Sequence, residues 1–285
     1  MKIDNLFKWG NIVLINSWLI FFGLIPHLLI FAKSLLVSEP CGHWLFSMTF
    51  MHYYKVLFST VYLKIFWNSF SVASVCTLSC LIIAYPFAYL LAQIKSKYKP
   101  LILVLIVIPF WTSSLVRIYA IVTFLKAKGI LNNTLIALGL IQEPLQLLHT
   151  NLAVMIGLVY DLLPFMILPL YTTFERLDKL YIYAARDLGA HNLSIFWRII
   201  IPLTMPGIVS GSILVFLPAM SLFYIPIILG GSKSLFLGNL IQRHFLINNW
   251  ALGSTLSIVL LVTLILFLSL IRRIQKQQDF YQGFV

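Results

Sequence analysis

Six stretches of the chain are continuously apolar over about the length of a bilayer crossing: residues 12–32, 68–94, 101–124, 151–174, 204–228 and 252–271. A helix rises about 1.5 Å per residue, so about 20 residues traverse about 30 Å of hydrocarbon. The pattern predicts an all-α, polytopic membrane protein with about six transmembrane helices in a single domain over 1–285. Between the first two runs, a stretch holding Pro40, Trp44, His52, Tyr53, Tyr54 and Lys55 is amphipathic enough to lie along an interface. Proline falls in or at the edge of the first five runs, at Pro26, Pro86, Pro109, Pro164, Pro169, Pro206, Pro218 and Pro226. Each frees a carbonyl and bends its helix, as a fixed kink or as a hinge used in gating.

Composition excludes a water-filled surface on most sides. Only 10% of the residues are charged and 61% are hydrophobic, whereas about a quarter of a soluble domain is charged. The net charge of +12 resides in short segments between apolar runs and forms no single basic face, which argues against nucleic acid. Lys and Arg are instead retained on the cytoplasmic side of a membrane, and this orients the chain. With the N-terminus inside, the cytoplasmic set is Lys2, Lys8, Lys95, Lys97, Lys99, Arg176, Lys179, Arg186, Arg198, Arg272, Arg273 and Lys276, twelve residues. The opposite set is Lys33, Lys55, Lys64, Lys126, Lys128, Lys233 and Arg243, seven residues spread over longer loops. Both termini are therefore expected in the cytoplasm. The first run follows Lys2 and Lys8 as a signal sequence would, yet its length and the lack of an Ala-x-Ala site mark a retained span.

Cys41, Cys76 and Cys80 make no disulfide framework, and the latter two, one helical turn apart in an apolar run, read as small packing residues. His27, His43, His52, His149, His191 and His244 are scattered without H-x-x-x-H spacing or a Cys partner, so no metal site is expected. No set of nucleophile, base and orienting acid falls on one face, so no catalytic residues are expected.

The longest cytoplasmic connection, about 175–203, carries the strongest local signal. Asp178 suits an N-cap, Leu180, Ala184 and Leu188 repeat at i, i+4 and i+8, and Gly189 supplies a C-terminal stop. A second helix begins near Asn192 with Leu193, Phe196, Trp197 and Ile200 on one apolar face, and Pro202 and Pro206 mark the return to the membrane. Such a pair either covers its own bundle or the headgroup layer, or docks a soluble partner. Ala184-Ala185-Arg186-Asp187-Leu188-Gly189, followed after nine residues by Ile199-Ile200-Ile201-Pro202, resembles the EAA motif of permease subunits of ATP-binding-cassette importers. Tyr183 stands where that motif has Glu and Ile201 where it has Leu, so no salt bridge from the motif Glu carries over, while the helix-turn-helix shape does. Pro109-Phe110-Trp111-Thr112-Ser113-Ser114-Leu115-Val116-Arg117-Ile118-Tyr119, Leu163-Pro164-Phe165-Met166, and Gly230-Gly231-Ser232-Lys233 with Gly238-Asn239 resemble spermidine/putrescine permeases.

The resemblance implies a type I, MetI-like ABC importer permease in a bacterial inner membrane. It implies as partners a second permease subunit, two copies of a cytoplasmic ATPase, and an extracytoplasmic binding protein that delivers a polyamine. Tyr183, Ala184, Ala185, Asp187, Gly189, Ile199 and Pro202 would then form the loop that seats in the ATPase. ATP and magnesium would be held by that partner, and no cofactor by this chain, in which no G-x-x-x-x-G-K-[ST] occurs. Gly231-Ser232-Lys233-Ser234 is the nearest imitation, but it lacks the first Gly and falls on the outer side.

Two charges stand well inside the spans, Arg117 and Asp161. An ionised side chain at mid-membrane costs at least about 2.5 kcal/mol, so each needs a partner or water. Helix rise places Arg117 about 10 Å and Asp161 about 15 Å below the outer surface, depths that permit a pair. Asp161 is thus either half of a salt bridge, or hydrated, or the counter-charge of a cationic substrate. Trp111, Tyr119, Tyr160 and Tyr224 are candidate aromatic walls for such a cation, or packing and interfacial residues. An importer of another small solute, a self-sufficient secondary transporter or channel, and a membrane enzyme are the rival readings.

Overall fold

In hydrocarbon every backbone N–H and C=O has to be satisfied within its own segment, so apolar runs of this length fold as helices. A computed structural model describes residues 2–38, 44–95, 97–178, 180–231 and 235–282; side chains are described from 11 to 36, from 48 onward, and as far as 273. Cys41, Lys179, and Ser232 to Ser234 of the phosphate-loop imitation lie outside the described residues.

The elements in order are α1 (Lys2–Leu19), α2 (Ile25–Leu35), β1 (Leu36–Ser38), β2 (Trp44–Met48), α3 (Met51–Phe58), α4 (Thr60–Gln93), α5 (Lys99–Val107), α6 (Ser114–Leu125), α7 (Ile130–Ala137), α8 (Asn151–Glu175), α9 (Leu180–Asp187), α10 (Asn192–Ile195), α11 (Ile201–Ser221), α12 (Leu237–Leu246) and α13 (Trp250–Gln282). Among the described residues, five helical segments are long and apolar enough to cross a membrane: Asn11–Leu35, Thr60–Gln93, Asn151–Glu175, Asn192–Ser221 and Trp250–Arg273. The pair Lys99–Trp111 and Ser114–Ala137, bent by 91°, reaches that length and hydropathy when its two halves are taken as one span.

The stretch between the first two spans folds as an antiparallel ribbon of β1 and β2 followed by α3. The sequence expectations need three corrections. The second span starts at Thr60, because Thr60 to Trp67 continues the helix although it is less apolar than the rest of α4. The third run is not one helix, since Pro109 sits in a 3-10 turn, Ile108–Trp111, after which Thr112 is extended and the ladder stops. The second loop helix is not separate from the fifth span, because α10 runs through a π turn, Phe196–Ile200, straight into α11.

That π turn has a local cause. Pro202 lacks an N–H and its ring crowds the carbonyl four residues back, so the turn widens and the Ile201 N–H bonds to Phe196 O instead. Pro26 has the same relation to the π turn Ile20–Leu24, where the Ile25 N–H bonds to Ile20 O. Pro86, Pro164, Pro169, Pro206 and Pro218 lie within helices that continue past them.

Contacts divide the chain into two units. In the first, residues 1–64 and 240–266, Ser34 bridges elements: its hydroxyl lies 2.6 Å from the Tyr53 hydroxyl, and its carbonyl accepts from Thr255 Oγ1 at 3.3 Å. Lys33 lies 4.2 Å over the Trp250 ring. The second unit, residues 65–239 and 267–285, is built on a close α8–α11 pair. Gly211 makes it close: a β-carbon there would stand 2.7 Å from Met166 Sδ, and one at Gly207 would meet the Thr173 side chain. A stripe of small residues on α4, Ala73, Cys76, Cys80, Ala84 and Ala88, is fully buried, and Cys76 and Cys80 carry free thiols.

Candidate functional site

The break in the third crossing creates a polar cluster inside the apolar bundle. Pro109 ends the regular ladder, Thr112 and Ser113 are extended, and α6 restarts at Ser114, so the Ser114 hydroxyl and the Arg117 side chain one turn later project together. Facing them on α8 is Asp161, 5% exposed. Arg117 Nη2 lies 3.0 Å from Asp161 Oδ1. The Tyr224 hydroxyl donates to Asp161 Oδ2 at 2.9 Å, and Ser114 Oγ stands 3.2 Å from Oδ1 and 2.6 Å from the Tyr224 oxygen. Three donors around the carboxylate offset the cost of burying a polar group in hydrocarbon. The Arg117 guanidinium stacks 4.5 Å over the Phe110 ring, while its Nε is buried without an acceptor.

Packing fixes where Tyr224 comes in. The Gly157 α-carbon, one helical turn before Asp161, lies against Leu229 and Ile225; a β-carbon there would meet the Leu229 side chain and stand 3.0 Å from Ile225 Cγ2. Gly157→Ala is therefore expected to push away the segment carrying Tyr224, costing about 1–3 kcal/mol. A drop in the melting temperature of the purified protein, larger than in Gly23→Ala where a β-carbon meets nothing, checks it.

Of the four aromatic candidates only Tyr224 reaches Asp161. Trp111 is 82% exposed, and Tyr119 and Tyr160 are exposed as well, on other faces of their helices. Ser114, absent from the sequence candidates, belongs to the cluster; its signal was a Ser-Ser pair directly after a proline-ended helix, the place for an N-cap.

The connection from Arg176 to His191 is a second, separate site. Asp178 Oδ1 accepts from the Leu180 N–H at 2.9 Å and starts α9. Gly189 has φ of 78°, its N–H bonds to Arg186 O at 2.9 Å and the Ala190 N–H to Ala185 O at 3.0 Å, a Schellman stop. Only Ala185 of α9 is buried, and Leu180, Tyr183, Ala184, Asp187 and Leu188 face outward, with Leu188 88% exposed. The apolar repeat Leu180, Ala184, Leu188 is thus a presented face, not one that packs on its own bundle. Beyond the turn, Ile195 and Ile200 are buried and Ile199 half-buried, while Leu193, Trp197 and Pro202 are exposed, so the face read from the sequence is split. Tyr183 and Arg186 also line a cavity of about 260 Å³ with Tyr89, Gln93 and Phe174. Beside it, Lys99 and Glu175 pair at 2.8 Å. Among the described residues no group of three or more His, Cys, Asp or Glu side chains is placed to hold a metal.

Comparison with known proteins places this geometry. The family described as binding-protein-dependent transport system inner membrane component matches residues 84–280. The spermidine/putrescine transport system permease protein PotB of Haemophilus influenzae is 49% identical over 275 residues, 96% of each chain. PotB of Escherichia coli is 46% identical over 258 residues, covering 90% of this chain and 94% of that one. Among solved structures, a bacterial ABC transporter involved in the import of the acidic polysaccharide alginate superposes with a TM-score of 0.75 at 17% identity, over 95% of this chain and 96% of that one. The same fold recurs, at a TM-score of 0.76 and 14% identity, in the alginate transporter bound to its pentasaccharide-loaded periplasmic protein, over 96% of this chain and 95% of that one.

Proposed function

Because the chain belongs to the family of binding-protein-dependent transport system inner membrane components, we propose that it is a permease subunit of an ATP-driven importer that carries spermidine or putrescine into the cytoplasm. The observation that carries the substrate class is the 49% identity, spread over 96% of the chain, to a spermidine/putrescine permease. The chemistry of the buried cluster is consistent with it. A polyamine bears several ammonium groups separated by methylenes, and carboxylate, hydroxyl and aromatic groups suit such a cation. Asp161, Ser114 and Tyr224 bring these three kinds of group together, with the carboxylate charge engaged by Arg117 in this conformation.

The protein is a multi-pass component of the inner membrane, with both termini in the cytoplasm. There the exposed faces of α9 and of the helix from Asn192 seat in a cytoplasmic ATPase, two copies of which hold ATP and magnesium. A sister permease completes the translocation path, and the binding protein delivers substrate from the other side. Alternating access then results from closure of the ATPase pair, which moves the loop and with it α8 and α11, the two helices it joins.

Reconstitution of the chain with its co-purifying partners in proteoliposomes tests this. Labelled spermidine and putrescine should accumulate only with ATP and binding protein together. Accumulation by this chain without an ATPase would make it a self-sufficient transporter, and ATP-driven uptake of another solute that polyamines do not compete for would overturn the substrate class.

A further inference from the structure

The second unit holds a groove for which solute transport has no use. It has a volume of about 670 Å³ and runs between α4 and the helix that begins at Asn192, with walls that are apolar or aromatic except at Arg186 and Asn192. Tyr85 ties the two sides together: its hydroxyl lies 3.0 Å from Thr204 Oγ1, and its ring meets Phe196 edge-on at 5.9 Å. Tyr89, Ile182 and Arg186 also line the smaller cavity of about 260 Å³, where Gln93 and Tyr183 add polar groups. An apolar groove thus adjoins a polar cavity across one arginine, the outline of an amphiphile.

Depth in the membrane narrows the choice of occupant. With a rise of about 1.5 Å per residue, Ile82 lies about 17 Å from Gln93 along α4, and Ile208 about 24 Å from Asn192 along its own helix. Half a bilayer with its headgroups is about 20–22 Å thick, so the groove runs through one leaflet, on the side of the Arg176–His191 connection. A soluble partner would have to bury unsatisfied backbone groups to reach that depth, whereas an acyl chain is already there. Arg186 supplies the charge at the other end. It is exposed, and among the described residues the ion pairs are Lys99–Glu175 and Arg117–Asp161, so no carboxylate neutralises it. On α9, Arg186 and Ile182 are one turn apart beside the buried Ala185, on the side away from Leu180, Ala184 and Leu188. The presented face of α9 therefore stays open when the groove is filled.

We propose that this groove is a binding site for one phospholipid, with an acyl chain between α4 and the helix from Asn192 and an anionic headgroup on Arg186. A basic residue at the mouth of an apolar cleft between spans selects anionic headgroups, and a guanidinium matches a phosphate with two parallel hydrogen bonds. The bound lipid props α9 against α4, so the set of the connection depends on the charge of the leaflet as well as on the protein. The site belongs to the fit of this chain in its bilayer and is independent of which solute is carried.

Native mass spectrometry of the assembled transporter tests this, after exchange into detergent containing equal amounts of phosphatidylglycerol and phosphatidylcholine with the same chains. The ratio of the two lipids is read on whichever assembly retains this chain, so loss of a partner subunit does not obscure it. Wild type should retain phosphatidylglycerol preferentially. Arg186→Gln should lower the ratio about fivefold, the equivalent of about 1 kcal/mol for one arginine near an anionic surface, and Arg186→Lys should keep most of it. Ile82→Trp with Ile208→Trp, which fills the groove, should lower retention of both lipids several-fold; Ile82→Trp alone, at an exposed position, should act in the same direction. Phosphatidylglycerol with six-carbon chains should be retained far less than the long-chain form, because its tails leave the groove unfilled. An unchanged ratio in Arg186→Gln overturns the proposal, and so does retention that the groove-filling variants leave untouched. Wild type that holds neither lipid would assign the groove to a protein neighbour instead. None of these readouts depends on uptake, so the proposal fails or stands apart from the transport reading.

Discussion

Asp161→Asn is expected to cut the yield and lower the melting temperature of the assembled protein sharply, and Arg117→Gln in the same chain is expected to restore most of both. The two charged groups stand 3.0 Å apart with side chains 9% and 8% exposed. Removing one partner of such a pair leaves an uncompensated buried charge, at about 3–5 kcal/mol, whereas removing both leaves two neutral amides able to bond each other. Arg117 has little to fall back on: its Nε already lacks an acceptor, and the Phe110 face offers about 2 kcal/mol, less than the lost partner. Tyr224→Phe and Ser114→Ala each remove one hydrogen bond to the carboxylate and should cost about 1.5–3 kcal/mol. Melting of the four variants and of the Asp161, Arg117 double mutant closes a cycle. A double mutant as damaged as the sum of its parts would mean that the pair is not the stabilising unit. Normal yield in Asp161→Asn, with spermidine uptake falling more than putrescine uptake, would instead make the carboxylate a partner of the substrate, since the lost Coulomb term grows with ligand charge. Normal yield with equal uptake of both polyamines would defeat both versions.

The bundle was legible in the sequence because hydropathy over a bilayer thickness is a sum, and sums tolerate local errors. The same property hid the break of the third crossing. Residues 101–124 total to a spanning run whether or not Thr112 and Ser113 continue the helix, and Pro109 alone does not tell a kink from a 91° bend. Missing the break meant missing Ser114, whose hydroxyl reaches Asp161 only because α6 restarts there. Depth along the helices, by contrast, needs only residue counts, and so the sequence alone permitted a pair between Arg117 and Asp161. Orientation around a helix needs packing partners. Trp111, Tyr119 and Tyr160 share the depth of the cluster but not its direction, and no count of residues separates them from Tyr224. The connection between α8 and α10 shows the converse. Its start and stop are local chemistry, an Asp side chain and a glycine, and both stand where the sequence put them. Which face of α9 is turned outward depended on Ala185 finding the bundle, which periodicity does not reveal.

Gly189→Val is expected to abolish most uptake while leaving the bundle folded. A β-carbon at this position meets nothing within 4 Å, so no steric clash enters; the whole effect lies in the backbone, held at φ of 78°. L-residues pay about 1–2 kcal/mol for the left-handed region, and a β-branched one lies at the upper end. The cheapest relief is to open the Schellman turn, which frees the Arg186 and Ala185 carbonyls and swings α9 relative to the helix that begins at Asn192. The outward faces of Leu188 and Trp197 then lose their fixed spacing, and a partner that reads both binds about tenfold more weakly for each 1.4 kcal/mol lost. ATP hydrolysis by the complex should persist but cease to respond to loaded binding protein, and polyamine uptake should fall about tenfold or more. Gly189→Asn supplies the control, because Asn tolerates the left-handed region far better than Val while adding more atoms than Ala. Substantial recovery in Gly189→Asn separates conformation from bulk. Normal assembly together with normal, binding-protein-stimulated uptake in Gly189→Val would show that the turn does not hold the docking face, and the loop would then have no part in coupling.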